Sequence, residues 1–140
     1  MAIVISGFPG VGKSCFFKSN PSTTSDSDSS LFPKDEFPSN YIEHIISLLN
    51  KRDVILVSSH KIVREALEDA DIEYFLVYPD RSLKEEYIER YKARGNTENF
   101  IKLVESEWDN WISELEKEEY PVLITLQSGQ FLKDAMASIV

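Results

Sequence analysis

The stretch G-F-P-G-V-G-K-S, residues Gly7 to Ser14, decides how this chain folds. It matches the pattern G-x-x-x-x-G-K-[ST], in which glycines let the backbone turn tightly and bring its N–H groups close to an anion. The lysine at position 13 places a positive charge on phosphate oxygens, and the hydroxyl at position 14 can ligate Mg²⁺. The pattern therefore predicts a loop that holds a chain of phosphates.

The sequence on either side of the loop supports this interpretation. Before it, Ala2-Ile3-Val4-Ile5 is a short apolar run, typical of a parallel strand that is buried on both faces. After it, Cys15, Phe16 and Phe17 begin a helix whose first amides would point at the same anion. An incidental glycine-rich turn is the disfavoured alternative. The predicted nucleotide-binding residues here are Gly7, Pro9, Gly10, Val11, Gly12, Lys13, Ser14 and Cys15.

Composition indicates one ordinary globular domain over residues 1–140. The chain has 140 residues, of which 42 % are apolar, and no run approaches the ~18 consecutive apolar residues of a membrane span. The single cysteine excludes an internal disulfide, and the first residues resemble no targeting segment, so we expect a cytoplasmic protein. Cys15 itself is expected to be a small buried hydrophobe beside the loop.

The net charge bears on possible partners. At −9, it disfavours binding to a long nucleic acid, whose phosphates an acidic surface repels. A small phosphorylated ligand held by a few local cations is compatible with it. We expect small-molecule nucleotide substrates and no membrane partner.

Strands and helices alternate along the rest of the chain. Strands are expected at residues 22–25, 53–57, 72–78 and 122–126, although 22–25 also fits a solvated polar loop. In the helix predicted to begin at Ser39 or Asn40, a buried face is expected. Its residues are Ile42, Ile45, Ile46 and Leu49. Such alternation predicts helices on both faces of a parallel sheet, a three-layer α/β fold.

The longest predicted helix begins after Thr97 and contains both tryptophans. Its apolar residues are spaced like a coiled-coil seam, a pattern that fits packing on the core or a dimer interface. They are Ile101, Val104, Trp108, Trp111 or Ile112, and Leu115. Packing on the core is the favoured interpretation, and both a monomer and a homodimer stay open.

In open parallel sheets, ligands bind where the carboxyl ends of the strands converge. The loops expected there comprise residues 7–14, 26–30, 58–60, 79–81 and 127–130. Among them, Asp26 and Asp28 are the best candidate acids, because the strand that ends at Ser58 lacks a terminal carboxylate. Phosphoryl transfer needs Mg²⁺ and often an acid that orients the attacking oxygen. We therefore predict Asp26 with Ser14 at the metal, and Asp26 or Asp28 at the acceptor.

Candidate cations follow later in the chain. Arg90 and Arg94 share one helix face just before a flexible break at Gly95, an arrangement suited to clamping phosphates as a lid closes. The alternative is a solvated helix surface on which Glu86 pairs with Arg90. The other predicted acceptor-binding residues are Arg81, His60 and Arg64, and His60 equally fits a helix cap.

With these motifs, the chain resembles the small P-loop nucleotide kinases of the nucleoside monophosphate kinase type. E-R-Y-K-A-R-G looks like their arginine-bearing lid segment, here about residues 90–100 and short. D-S-D-S-S followed by F-P-S-N-Y is similar to compact kinases common in bacteriophage genomes. The resemblance implies a P-loop NTPase fold with five parallel strands in the order 2-3-1-4-5, and ATP with Mg²⁺ as the donor. It also implies a nucleotide-contacting loop at Gln127, Ser128 and Gly129. By the same match, Lys13 and Ser14 would serve the donor phosphates, with Lys13 as a catalytic residue, and Arg90 and Arg94 would serve the transferring group.

These observations lead to one expected function and two alternatives. We expect an ATP-dependent phosphotransferase whose acceptor is a nucleotide, foremost a (deoxy)nucleoside monophosphate. A kinase for a hydroxyl, on a small metabolite or on a modified base or end of DNA, is the alternative within enzymes. A regulatory module that binds nucleotide without turnover is the alternative outside them. The guanine-reading motif N-K-x-D does not occur in the sequence, which disfavours a GTPase switch.

Overall fold

The computed structural model describes residues 2–27 and 34–139. These form an α/β fold with one sheet of five parallel strands in the order β2-β3-β1-β4-β5, which confirms the predicted fold class and strand order. The strands are β1 Ile3–Gly7, β2 Thr24–Asp26, β3 Val54–Ser58, β4 Phe75–Pro79 and β5 Val122–Leu126. The helices are α1 Lys13–Ser19, α2 Ser39–Leu48, α3 Lys61–Asp69, α4 Lys84–Ala93, α5 Glu98–Glu116 and α6 Leu132–Ile139, with a short 3₁₀ helix at Arg81–Leu83.

The central strand β1 carries the predicted loop at its carboxyl end. It pairs with β3 along its whole length, from Ile3 opposite Val54 to Gly7 opposite Ser58, and with β4 on its other side. Apolar side chains dominate these strands because both faces of a central parallel strand are covered. The loop is therefore anchored at the carboxyl end of the central strand.

Helix α5 packs on the core, as the favoured interpretation of its apolar seam predicted. Thr97 caps it by accepting a hydrogen bond from the Phe100 amide at 3.2 Å. Its buried residues are Val104, Trp108, Ile112 and Leu115. The Trp108 indole N–H donates to the Arg81 carbonyl at 3.0 Å, so this large ring is buried with its polar atom satisfied.

Two packing predictions are wrong. Cys15 is exposed, because α1 already begins at Lys13 and turns its half-buried Phe16 and Phe17 toward the protein instead. In α2, Ile45 is buried but Ile46 is 51 % exposed. The apolar face of that helix is thus narrower than its sequence pattern predicted.

A short turn joins α4 to α5 in the segment predicted to be a lid. Helix α4 ends at Ala93 and α5 begins at Glu98, with Gly95 at a φ of 80° between them. The connection is short, and its role as a lid stays a prediction. Throughout the described ranges 2–27 and 34–139, none of the helices is both long and apolar enough to span a bilayer.

Candidate phosphate-binding site

Backbone geometry in the loop requires its glycines. Gly10 and Gly12 have φ angles of 92° and 99°, a region that residues with a Cβ rarely adopt. A Cβ at Gly7 would lie 2.9 Å from both Lys13 Cδ and Val11 Cγ2. The pattern G-x-x-x-x-G explains the first and last of these glycines, whereas Gly10 occupies one of its variable positions.

The carbonyls of the loop are engaged by the surrounding structure. The Tyr91 hydroxyl donates to the Pro9 carbonyl at 2.7 Å, and the Leu132 amide donates to the Val11 carbonyl at 2.7 Å. Between these two, the Gly10 carbonyl accepts from Arg90 at 2.9 Å. Helices α4 and α6 thus hold the loop from outside.

The predicted phosphate, metal and acid residues line one cavity of about 190 Å³. Its walls are Lys13, Ser14, Asp26, Ser27, Val57 and Ser58. The end of β2 comes this close to the loop because Asp26 pairs with Leu56 of β3, and β3 is the neighbour of β1. Lys13 folds over the loop and donates to the Gly7 carbonyl. The structure thereby brings Lys13, Ser14 and Asp26 together.

A hydrogen-bonded cluster fixes the chain beside Asp26. The Ser27 amide donates to the Leu56 carbonyl at 2.9 Å, and the Ser27 carbonyl accepts from the buried Tyr41 hydroxyl. The Ser27 hydroxyl lies 2.9 Å from that of Ser25 and 3.2 Å from His44 Nε2. The side chain of Asp26 is exposed at the end of this braced strand. Asp28, the second predicted acid, lies outside the described residues.

The cavity offers ligands of the kind that Mg²⁺ prefers. Asp26 supplies a carboxylate, and Ser14 supplies a hydroxyl. Among the described residues there is no group of three or more acidic, histidine or cysteine side chains suited to a metal. Magnesium in nucleotide sites commonly uses only one or two carboxylates, with substrate phosphates and waters as its other ligands, so these residues fit it.

Arg90 occupies a different position from the predicted phosphate clamp. Its side chain is only 13 % exposed, and its guanidinium donates to the carbonyls of Gly10 and Gln130 at 2.9 and 3.0 Å. The rings of Tyr87 and Phe131 lie 4.3 and 3.9 Å from it. In this structure Arg90 joins the loop to its neighbours rather than reaching into the cavity.

Glu86 extends this contact to the loop after β5. It pairs with Arg90 at 3.1 Å, which is the pairing that the alternative interpretation of this helix predicted. It also accepts from the Gly129 amide at 3.0 Å and from the Ser128 hydroxyl at 2.5 Å. The hydrogen bond from Gly129, followed by that from Ser128, lowers the pKa of Glu86. The predicted nucleotide-contacting loop is therefore tied to α4 beside the glycine loop, where Phe131 faces Gly12.

Arg94 is the predicted lid cation that remains exposed. Its guanidinium lies 5.8 Å from the centre of the Tyr91 ring, at the end of α4. Because the Tyr91 hydroxyl reaches Pro9, this position is one helical turn beyond the contacts with the glycine loop. The proposed contact of Arg94 with a phosphate chain stays a prediction.

Two predicted acceptor-binding arginines pair with carboxylates in or just after α5, and neither lines the cavity. Arg64 is 4 % exposed and pairs with Glu114 and Glu118 of the α5 region at 2.5 and 3.0 Å. Arg81 pairs with Glu116 at 2.7 Å and with Asp109 at 3.3 Å. The buried Arg64 guanidinium needs carboxylate partners, and Glu114 of α5 and Glu118 just after it supply them.

His60 precedes α3 as its N-cap residue and makes no side-chain capping hydrogen bond within the part of the chain that the structure describes. The side chain is exposed. Its proposed contact with an acceptor stays a prediction.

Two contacts of the glycine loop were not anticipated from the sequence. Helical spacing predicts only that Tyr91 is buried, and no sequence pattern marks Phe131. The one available signal was Gly10 itself: a Cβ there would lie 3.0 Å from the Tyr91 ring and 3.2 Å from the Tyr87 ring. A glycine at a variable position of the pattern indicates close packing against the loop.

Comparisons with known proteins bear on the fold. No family model matches the chain, and no curated protein matches it. A crystal structure of an uncharacterized protein from Eubacterium ventriosum ATCC 27560 is similar, with a TM-score of 0.51 and 13 % identity, over 99 % of this chain and 95 % of that one. At this identity the likeness concerns the fold alone, and it agrees with the three-layer α/β architecture.

Proposed function

We propose that this protein is an ATP-dependent phosphotransferase of the P-loop kinase type, with a nucleotide as its acceptor. The observation that carries the proposal is the meeting of Lys13, Ser14 and Asp26 around one cavity beside the glycine loop. A cation, a hydroxyl and a carboxylate in that arrangement are the protein groups that phosphoryl transfer uses. A nucleoside monophosphate is the first acceptor to test, as the sequence resemblance implies.

Each group has a role that follows from its chemistry. The loop amides and Lys13 would bind the donor phosphates and neutralise their charge. Ser14 and Asp26 would hold Mg²⁺, which when bound neutralises developing charge on the phosphates. Arg94 would turn in over the transferring group from the end of α4. Positioning and charge neutralisation supply most of catalysis in this reaction class, so few reactive side chains are needed.

One observation favours the second candidate, a kinase whose acceptor is a hydroxyl. The arginines that were expected to hold an acceptor phosphate, Arg64 and Arg81, are paired with carboxylates around α5. A hydroxyl acceptor needs no such cation, and Asp26 could then take up its proton as a general base. The net charge of −9 favours a small hydroxyl compound over DNA for this candidate.

Incubation with labelled ATP and Mg²⁺ over an acceptor panel tests the proposal. The panel comprises nucleoside monophosphates, nucleosides, small hydroxyl metabolites and oligonucleotides with a 5′-hydroxyl end. Product on a monophosphate supports the first candidate, and product only on hydroxyl compounds supports the second. Tight binding of ATP without any product would contradict both and favour a regulatory module.

The Asp26→Asn variant tests the proposed role of the Asp26 carboxylate in phosphoryl transfer. We expect its kcat to fall by about 10²- to 10⁴-fold, the usual loss when a positioned acid or base is removed. Asp53→Asn is the control, because Asp53 is an exposed aspartate that precedes β3. It lies at the amino ends of the strands, whereas the cavity lies at their carboxyl ends. Equal activity of the two variants would remove Asp26 from the proposed mechanism.

A further inference from the structure

Helix α4 controls the orientation of one peptide unit in the glycine loop. The carbonyl of Pro9 and the N–H of Gly10 belong to the same planar unit and point in opposite directions when the peptide is trans. The Tyr91 hydroxyl holds the Pro9 carbonyl at 2.7 Å. The N–H of Gly10 must therefore point away from α4, and it donates to no acceptor within residues 2–27 and 34–139.

A second peptide unit is held in the same manner by a different element. The Leu132 amide at the start of α6 donates to the Val11 carbonyl at 2.7 Å, which orients the N–H of Gly12. By contrast, the N–H of Val11 donates to the Phe8 carbonyl within the loop at 3.2 Å. In the turn that precedes α1, the amides at positions 10 and 12 are thus available to a ligand in addition to the first amides of the helix, and each of these two depends on one external donor.

We propose that Tyr91 is a positioning residue for the phosphate chain, and that its hydroxyl presents the Gly10 amide to a phosphate oxygen. The inference rests on the proposed function for its ligand, and it concerns the polyphosphate tail only. Holding the peptide in place before binding removes an ordering cost that the ligand would otherwise meet. Tyr91 acts through the backbone and does not itself touch the phosphates.

The hydroxyl can be removed without disturbing the packing around it. The Tyr91 ring packs edge-on against Phe100 at 5.2 Å and against Tyr87 at 6.4 Å, and Tyr91→Phe keeps both contacts. Tyr74→Phe is the matched control. Tyr74 is also buried, and its hydroxyl has no hydrogen-bond partner among the described residues. It precedes β4, at the amino ends of the strands, whereas the glycine loop lies at their carboxyl ends.

Titration calorimetry with inorganic tripolyphosphate and with ATP, each with Mg²⁺, measures the effect. Tyr91→Phe should weaken both affinities by about three- to tenfold, the loss expected for one hydrogen bond. Tyr74→Phe should change them less than twofold. In NMR spectra, tripolyphosphate should shift the Gly10 and Gly12 amide resonances of the wild type, and Tyr91→Phe should shrink the shift at Gly10 alone.

The outcomes separate this inference from the proposed function. Equal affinities of Tyr91→Phe and Tyr74→Phe, or equal losses of shift at Gly10 and Gly12, would overturn the role of Tyr91. A wild type that binds neither tripolyphosphate nor ATP would overturn both proposals. If tripolyphosphate binds and Tyr91→Phe weakens it, the inference stands, even when no acceptor in the panel is phosphorylated and the proposed function fails.

Discussion

Replacing Gly10 by alanine tests how closely the glycine loop and helix α4 are fitted to each other. Two costs are expected. The φ of 92° is unfavourable for alanine by about 1–2 kcal/mol. In addition, the new Cβ would lie 3.0 Å from the Tyr91 ring and 3.2 Å from the Tyr87 ring, and overpacking of this kind costs about 1–3 kcal/mol.

The rings have little room to yield. Tyr87 packs against Trp108 at 5.7 Å and against Phe8 at 6.4 Å, and Tyr91 is held on its other side by Phe100. Both tyrosines are fully buried. The loop must therefore move instead, and Gly10→Ala should lower the free energy of unfolding by about 2–5 kcal/mol in total.

Gly95→Ala separates the two costs. Gly95 has a similar φ of 80°, but no atom lies within 4 Å of the position that its Cβ would take. We expect a loss of about 1–2 kcal/mol there, from the backbone alone. Urea unfolding of the wild type and both variants measures the free energy of unfolding of each protein. Gly10→Ala should be less stable than Gly95→Ala by about 1–3 kcal/mol. If Gly10→Ala is no more destabilising than Gly95→Ala, the argument from ring packing is refuted.

Two further predictions concern ion pairs. Arg64→Met leaves Glu114 and Glu118 without their shared cation, so the free energy of unfolding should fall by about 1–3 kcal/mol. The KM for any acceptor should stay unchanged. Unchanged stability with a tenfold higher KM would instead support an acceptor-binding role for Arg64. The hydrogen bond from the Gly129 amide lowers the pKa of Glu86 in the folded protein below its ordinary value of 4.5. The ionised Glu86 therefore stabilises the fold above pH 4.5, and this stabilisation is lost as the pH falls through the lowered pKa. Urea unfolding from pH 7 to pH 3 should show Glu86→Gln less stable than the wild type at pH 7 and equal to it at the acid end, and a constant difference would contradict this.

The fold could be predicted because its signals are local. A phosphate-binding pattern between an apolar strand and a helix indicates the central strand, and alternating strands and helices with right-handed crossovers leave few topologies. The strand order itself came from the family resemblance. Asp26 could be placed near the glycine loop because the ends of parallel strands meet at one edge of the sheet.

The arginines could not be assigned from the sequence, because their partners lie far along the chain. Arg64 meets Glu114 at a separation of 50 residues, and Arg90 meets the Gly10 carbonyl at a separation of 80. Spacing along a helix shows that two side chains share a face, but it does not show which element covers that face. The same limit applies to Tyr91, whose helical pattern predicts burial and says nothing about Pro9, 82 residues away.

The proposed function depends most on the binding of a triphosphate by the glycine loop. Calorimetric titration of ATP with Mg²⁺ into the wild type, Lys13→Ala and the control Lys18→Ala, an exposed lysine of the same helix, tests it directly. We expect binding to the wild type and to Lys18→Ala, and an affinity about ten- to hundredfold weaker for Lys13→Ala, the loss of one charge-assisted hydrogen bond. Failure of the wild type to bind ATP, or equal affinity of all three proteins, would contradict the proposed phosphate-binding role of the glycine loop.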